Sequence, residues 1–534
     1  MNLATRTDDE DVLTGHSRDV SRPRAHPAAV AAAALVIGVG VWFRFWTRSH
    51  LWLDEALTVH ISALPLRQIP EALRHDGAPP LYYFLLHLWM RAAGSSSALA
   101  ARSLGGVLSV ATLPVMWFAG RRLALDVTTP HGDGIDPTTV AWTATILLAS
   151  SPFAVHFATE ARMYSLVVLL VLGGYLALAK VLRGGQGRLA AAGALAVSSG
   201  LLLLTHYWAM YLLAVVGVVL AVNARRRPEY QLALIAVVAG GVLFVPWLPA
   251  FFYQARHTGT PWAEPASFSA MVNAISEFAG GRSSSGRALG LLFFALAGFG
   301  LFGAAMDHRR VEVDLRTRRR GRGLAIVLTG TLAVAITAGF ATHGAFAARY
   351  TSVVFPPFVL LVALGTTVLR DAKVRTGVVA AAAALGLLTS TGNIRTDRTQ
   401  VTRLIATAKS HGMQAGDLVV YCPDQLGPAG TQVAPGGVRQ VTFPTLGNGR
   451  FVDWVDYGTR NRAADPVAFA DTVDRLAGSH AVWILWAPEY RTFGTLCEQV
   501  VQRMGTLRPP ANQLVASNPI KYFEHANLVA YPSR

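Results

Sequence analysis

Blocks of about 20 apolar residues recur along the chain, which is the length a helix needs to cross a bilayer. They include Ala28–Phe45, Val140–Phe157, Met163–Val181, Leu232–Phe251, Leu324–Ala341 and Val353–Leu369. One such block fits the core of a soluble domain; about ten do not. Charged residues are only 15% of the 534, where a soluble domain carries about 25%. The reading is a polytopic α-helical membrane protein of about eleven spanning helices.

Charge orients the chain. The formal net charge is +16, but the arginines cluster between apolar blocks, at 121–122, 225–227, 316–320 and 370–375. Lys and Arg gather in cytoplasmic loops, so the bilayer accounts for them and no nucleic-acid partner is expected. Residues 1–27 read as a cytoplasmic tail, with Arg18, Arg22 and Arg24 ahead of an uncleaved signal-anchor. The expected spans are 28–47, 102–120, 139–157, 163–182, 188–204, 207–223, 232–251, 286–305, 324–341, 351–369 and 376–391. Pro80–Met90 is too short to cross and is read as a helix on the outer leaflet, inside a first outer loop at 48–101. With that assignment the inside segments hold about twice the Lys and Arg of the outside loops, the sign expected. If Pro80–Met90 crossed, every later loop would invert.

The transmembrane domain is therefore expected over 28–392, in the cell membrane, followed by an extracytoplasmic domain at 393–534. There the apolar runs shorten to strand length, at Asp417–Tyr421, Ala481–Trp486 and Leu528–Tyr531. Helical patterns intervene at Val401–His411, Pro466–Ala477 and Arg491–Met504. Alternating strands and helices predict a small α/β domain with a mostly parallel sheet. Cys422 and Cys497 both fall in it; a disulfide fits an oxidising compartment, and two separate thiols are the alternative.

The polar residues left over gather at the outer ends of the helices. They are Trp52, Asp54 and Glu55 after the first span, then His75 and Asp76, and Arg102 opening the second. His156, Glu160, Arg162 and Tyr164 lie between the third and fourth spans, and His206, Tyr207 and Trp208 between the fifth and sixth. His343, Arg349 and Tyr350 precede the tenth. Aromatic belts occur at any membrane interface, so Tyr164, Tyr207 and Trp208 alone fit decoration. Asp54 and Glu55 gain little from headgroups, many of them anionic, and ionisable groups at membrane depth usually line a site. A carboxylate can take the proton of an incoming hydroxyl. Arginines can hold a phosphate by forked hydrogen bonds. Together they suggest transfer of a group from a membrane-borne phosphate carrier.

The segments Leu51–Val59 (LWLDEALTV) and His75–Tyr83 (HDGAPPLYY) resemble the first outer loop of GT-C glycosyltransferases. Ala100–Leu104 (AARSL), Glu160–Leu166 (EARMYSL) and Arg349–Pro357 (RYTSVVFPP) follow in order. The resemblance spans about 28–390 and is nearest to protein O-mannosyltransferases and the lipid A aminoarabinose transferase. The added C-terminal domain looks like the actinobacterial members. It implies a polyprenyl-phosphate-sugar donor and an inverting single displacement. In it Asp54 is the general base and Glu55 supports acceptor binding or loop geometry. Arg102, Arg162 and Arg349 are implied to bind donor, with Tyr164, Tyr350, His75, Asp76 and His206 around them. His75 departs from the family's usual His-Pro-Pro, since three residues separate it from Pro79. No cofactor is implied, because arginines neutralise a single phosphate; a divalent metal bridged by Asp54 or Asp76 is the alternative. Mannose is the expected sugar, arabinofuranose the runner-up, and a cell-wall glycan, glycolipid or protein the acceptor. The external domain could bind that acceptor through exposed aromatics such as Trp454 and Trp483, although Trp483 lies in a core-like strand and reads as buried. A lipid-linked-sugar flippase would instead need polar residues through the bilayer midplane, where this chain carries mostly Ala, Leu, Val and Gly. A scaffold would leave Asp54 unexplained.

Overall fold

The computed structural model describes residues 27–125, 136–225, 227–259, 267–281, 283–306, 310–342, 344, 346–488 and 490–534. The expected tail arginines and His343 lie outside the described residues.

Each expected apolar segment is helical. Helix α1 is Pro27–Phe43, followed by the three short helices of the first loop, α2 (Leu53–Ser62), α3 (Ile69–Asp76) and α4 (Leu81–Ala93). Next come α5 (Ala98–Leu125), the pair α6 (Pro137–Ala149) and α7 (Pro152–Ala158), and α8 (Tyr164–Arg183). Later membrane-length helices include Ser284–Phe302 and Ala372–Arg395. Among the described residues, six helices are long and apolar enough to cross a membrane, or seven if the bent pair is one span. Four more apolar helices are shorter: α1, Arg188–Leu203, Ala209–Ala224 and Phe355–Val368. Helix α4, read from sequence as too short to cross, has 13 residues.

The expected straight helix at 139–157 is instead broken, with α6 and α7 meeting at 54°. The cause is local and written as Ser-Ser-Pro. The Ser151 hydroxyl accepts from the Ala154 amide at 3.2 Å, and Pro152 opens the new helix, an ordinary N-terminal signal. The break frees carbonyls at the end of α6. Arg44, fully buried, donates to Leu148 O at 2.7 Å and Ala149 O at 2.8 Å, and to Ser109 Oγ at 2.9 Å. One guanidinium thus joins α1, α5 and the broken helix.

Helix Ala372–Arg395 runs past the boundary expected at 392. Beyond it lies a five-stranded sheet. Its strands are β1 (Leu418–Cys422), β2 (Arg439–Thr442), β3 (Val482–Trp486), β4 (Asn512–Val515) and β5 (Asn527–Tyr531), in the order β2-β1-β3-β5-β4. The β1–β2 and β1–β3 pairings are parallel, but β3–β5 and β4–β5 are antiparallel. The sheet is therefore mixed, not mostly parallel. The unforeseen β2 and β4 are edge strands, partly or fully exposed and polar in sequence, so they carry no apolar run. Central β1 and β3, buried on both faces, carry a continuous one. Cys422 at the end of β1 and Cys497 in helix Leu496–Leu507 are joined by a disulfide with Cα atoms 5.6 Å apart. Trp454 and Trp483 are both buried; for Trp483 this agrees with its core-like strand, and for Trp454 it corrects the expectation of an exposed binding surface.

The C-terminal domain shares a core with the first loop. Trp52, Leu57, Ile69 and Tyr83 pack in one cluster with Val420, Phe443, Trp454 and Tyr457. Main-chain bonds sew the seam: Trp454 N donates to His75 O at 2.9 Å and Asp456 N to His257 O at 2.8 Å.

Replacing Arg44 by Met removes the side-chain donor to the buried Ala149 carbonyl, at about 1–3 kcal/mol for an acceptor left unpaired. Arg44→Met should lower the thermal melting midpoint of the detergent-purified protein several degrees further than Arg48→Met, and equal midpoints would refute the clamp.

Candidate active site

Asp54 and Glu55 are adjacent on a helix, so their side chains diverge by about 100°. Only one can face a cavity. Glu55 turns inward and is fully buried. Its carboxylate takes both Arg102 Nε (2.7 Å) and Nη2 (2.6 Å), together with the Ala161 amide at 2.9 Å. Arg398 stands 3.6 Å away. Arg102 spends its remaining donors on Ser49 O (2.6 Å) and His50 O (3.1 Å). Glu55 and Arg102 therefore lock α2 against α5 and the turn before α8, and this geometry gives Arg102 to Glu55 rather than to a donor phosphate.

Asp54 faces the other way, with 18% of its side chain exposed and its Oδ2 2.9 Å from Arg349 Nη1. The Arg349 guanidinium also lies near the rings of Trp52 and Tyr350, at 5.9 and 5.6 Å. Arg162 donates to Thr58 Oγ1 at 2.9 Å, and Tyr83 Oη lies 3.5 Å from it. Tyr83 donates onward to Asp76 at 2.7 Å. Burial raises the Asp76 carboxyl above its ordinary range, against the pull of Arg162 and Tyr83. His206 lies between the rings of Tyr164 and Tyr350, at 6.0 and 5.4 Å. Burial, with Arg162 and Arg349 nearby, holds its ring down at about 3. A neutral ring agrees with its Nδ1, which accepts from the Trp208 amide at 3.1 Å.

The structure thus brings Asp54, Arg162, Tyr164, His206, Arg349 and Tyr350 to one place, with Asp76 behind. His75 is not among them. It is half exposed and pairs with Asp453 at 2.9 Å, so it serves the seam with the C-terminal domain. Glu160 is buried, and burial raises its carboxyl, but Arg398 and His156 outweigh that and hold it well below the usual range.

Sequence reasoning missed Arg398. It is buried and donates to Thr159 O (3.0 Å) and Thr159 Oγ1 (2.8 Å), while its amide bonds Ser49 Oγ at 2.9 Å. Its only sequence signal was a cation in a short linker beside the bilayer. The second omission, Glu524, carried no signal at all.

Several buried donors here have no hydrogen-bond partner among the described residues: Arg162 Nε, Tyr82 Oη and Tyr164 Oη. Buried polar groups are nearly always paired, so these unmet donors beside two arginines are placed to meet the oxygens of an anion. No cluster of three or more His, Cys, Asp or Glu placed to hold a metal occurs among the described residues.

No family model and no curated protein sequence matches the chain. Solved structures do. The crystal structure of apo ArnT from Cupriavidus metallidurans aligns with a TM-score of 0.56 at 14% identity, covering 94% of this chain and 98% of that one. The chain has the GT-C fold. The same ArnT bound to undecaprenyl phosphate aligns with a TM-score of 0.52 at 13% identity, over 94% of this chain and 97% of that one. The arabinofuranosyltransferase AftD from Mycobacteria gives 0.48 at 14% identity, over 96% of this chain but 40% of its own. The two ArnT structures carry the fold comparison. In this chain the first loop, the α7–α8 turn and the segment 348–353 meet at the site.

The two carboxylates should separate by experiment. Opening a buried ion pair costs about 3–5 kcal/mol, so Glu55→Gln should lower the melting midpoint sharply while Asp54→Asn leaves it nearly unchanged. Equal losses would place both in the lock.

Proposed function

We propose that the chain is a glycosyltransferase that moves a sugar, mannose first, from a polyprenyl-phosphate-sugar to an acceptor hydroxyl outside the cell. The observation that carries the reading is the set of unpaired buried donors around Asp54, flanked by Arg162 and Arg349. A phosphate offers the acceptor oxygens these groups lack. The fold comparison adds a neighbour solved with undecaprenyl phosphate.

A greasy tail needs a place as well. An apolar cavity of about 400 Å³ lies between helices and includes Val171, Tyr175, Leu202, Leu212, Leu324 and Pro356. Val171 is two helical turns along α8 from Tyr164, and the cavity runs on past Leu178 and Leu182 toward the far end of that helix; such an apolar space suits a polyprenyl chain.

In the proposed step Asp54 takes the acceptor proton as its oxygen attacks the anomeric carbon. The carbon–oxygen bond to phosphate breaks with inversion, and the polyprenyl phosphate leaves with the electron pair. Arg349 and Arg162 balance the charge that develops on the leaving phosphate. Arg349 rests on Asp54; an arriving phosphate would take over part of that contact and free the carboxylate as base. The proposed orientation follows the arginine clusters: N-terminus in the cytosol, site and C-terminal domain outside.

The test is transfer by purified protein in lipid, with radiolabelled polyprenyl-phosphate-mannose and a panel of glycan, glycolipid and Ser/Thr-peptide acceptors. Asp54→Asn should reduce turnover by about 10²–10⁴ with donor binding retained, and Arg349→Gln should raise the donor KM. Transfer that survives Asp54→Asn removes the base assignment. Transfer from polyprenyl-phosphate-arabinose alone would move the donor to arabinofuranose.

A further inference from the structure

The first-turn amides of a helix have no partners within it, and α2, which carries Asp54, receives no side-chain cap from its own N-cap residue Trp52. An acceptor comes from the far end of the chain. Glu524 Oε1 accepts from the Leu53 amide at 3.2 Å, across 471 positions.

That carboxyl is held by its backbone. The Glu524 amide donates to Arg398 O at 2.8 Å, and the Gln400 amide donates to Glu524 O at 2.8 Å. The adjoining Phe523 ring meets Trp52 edge-on at 5.1 Å. The segment 398–400 that grips Glu524 also contains the Arg398 that grips the α7–α8 turn. Glu524 Oε2 is buried and has no hydrogen-bond partner among the described residues.

We propose that Glu524 is a positioning residue of the active site, which caps α2 from the C-terminal domain and so fixes the direction in which Asp54 presents its carboxylate. The inference rests on the glycosyl-transfer reading for its catalytic half.

The groups facing Glu524 set its charge. Asp54 and Glu55 lie on α2, Tyr490 follows β3, and Thr399 and Arg398 lie in the linker. Burial pushes the carboxyl up to about 8, against the Thr399 and Leu53 hydrogen bonds and with repulsion from Asp54 and Glu55. At neutral pH Glu524 is then the uncharged acid. It accepts from α2 without placing a second negative charge beside Asp54. Above its titration point it ionises, and the added charge opposes an anionic donor. The donor KM therefore rises on the alkaline side.

The experiment uses the full-length protein in lipid nanodiscs, with Glu524→Ala and Glu524→Gln, and two readouts. Amide hydrogen exchange over residues 53–56 reports the cap; transfer from polyprenyl-phosphate-mannose, or from the arabinose donor if that is the active one, reports catalysis. Loss of a cap is a several-fold to about thirty-fold effect, so Glu524→Ala should speed exchange of these amides and lower kcat by about tenfold. Glu524→Gln keeps the carbonyl acceptor and cannot ionise, so it should restore both and lose the alkaline rise in donor KM. Unchanged exchange in Glu524→Ala overturns the cap. Faster exchange with unchanged kcat overturns the positioning role. If the parent protein transfers no sugar from either donor, the glycosyl-transfer reading fails and takes the catalytic half with it, while the exchange result still decides the cap.

Discussion

The buried Glu55–Arg102 pair is the constraint on which the site depends. A carboxylate and a guanidinium out of water are costly unless each hydrogen-bonding position is met, and here they are: two contacts between them, the Ala161 amide, and two main-chain carbonyls. The pair joins α2 to α5 and to the turn before α8. Because successive helical residues point about 100° apart, fixing Glu55 inward forces Asp54 outward, toward Arg349. One structural ion pair thus aims the Asp54 carboxylate.

A second layer of cations surrounds the first. Arg398 stands close to both Glu55 and Glu160, and Arg44 satisfies carbonyls freed by the break between α6 and α7. That break lets α7 depart from the axis of α6 and bring the 159–163 turn to Glu55. Arg162 and Arg349 differ from the rest in lying against Asp54 and the unpaired phenols. Position thus divides the arginines into those that brace the helices and the two that lie beside Asp54.

Much of this was legible in the sequence. The apolar blocks located the helices, and the charge asymmetry grouped Asp54, Arg162, His206 and Arg349 on one side before any contact was visible. Only the resemblance told Asp54 from Glu55; the residues alone did not, because the helical phase that buries Glu55 is set by partners 47 and 106 positions away. Arg102 shares that ambiguity. The Ser-Ser-Pro break was readable as a local signal but was masked by the hydrophobicity around it. Edge strands β2 and β4 were not readable, since exposed polar strands carry no periodic apolar signal. Glu524 and Arg398 act through contacts between distant segments, which no local pattern encodes.

The seam between the first loop and the C-terminal domain has a consequence for how the protein is made. Residues near 52 and residues near 524 meet in one packed interface, yet 471 positions separate Leu53 from Glu524. During synthesis the helices can enter the bilayer one after another, but the first loop must wait with its apolar face uncovered until that whole stretch has been made. Assembly of the packing around Asp54 thus waits on a segment made long after α2 itself.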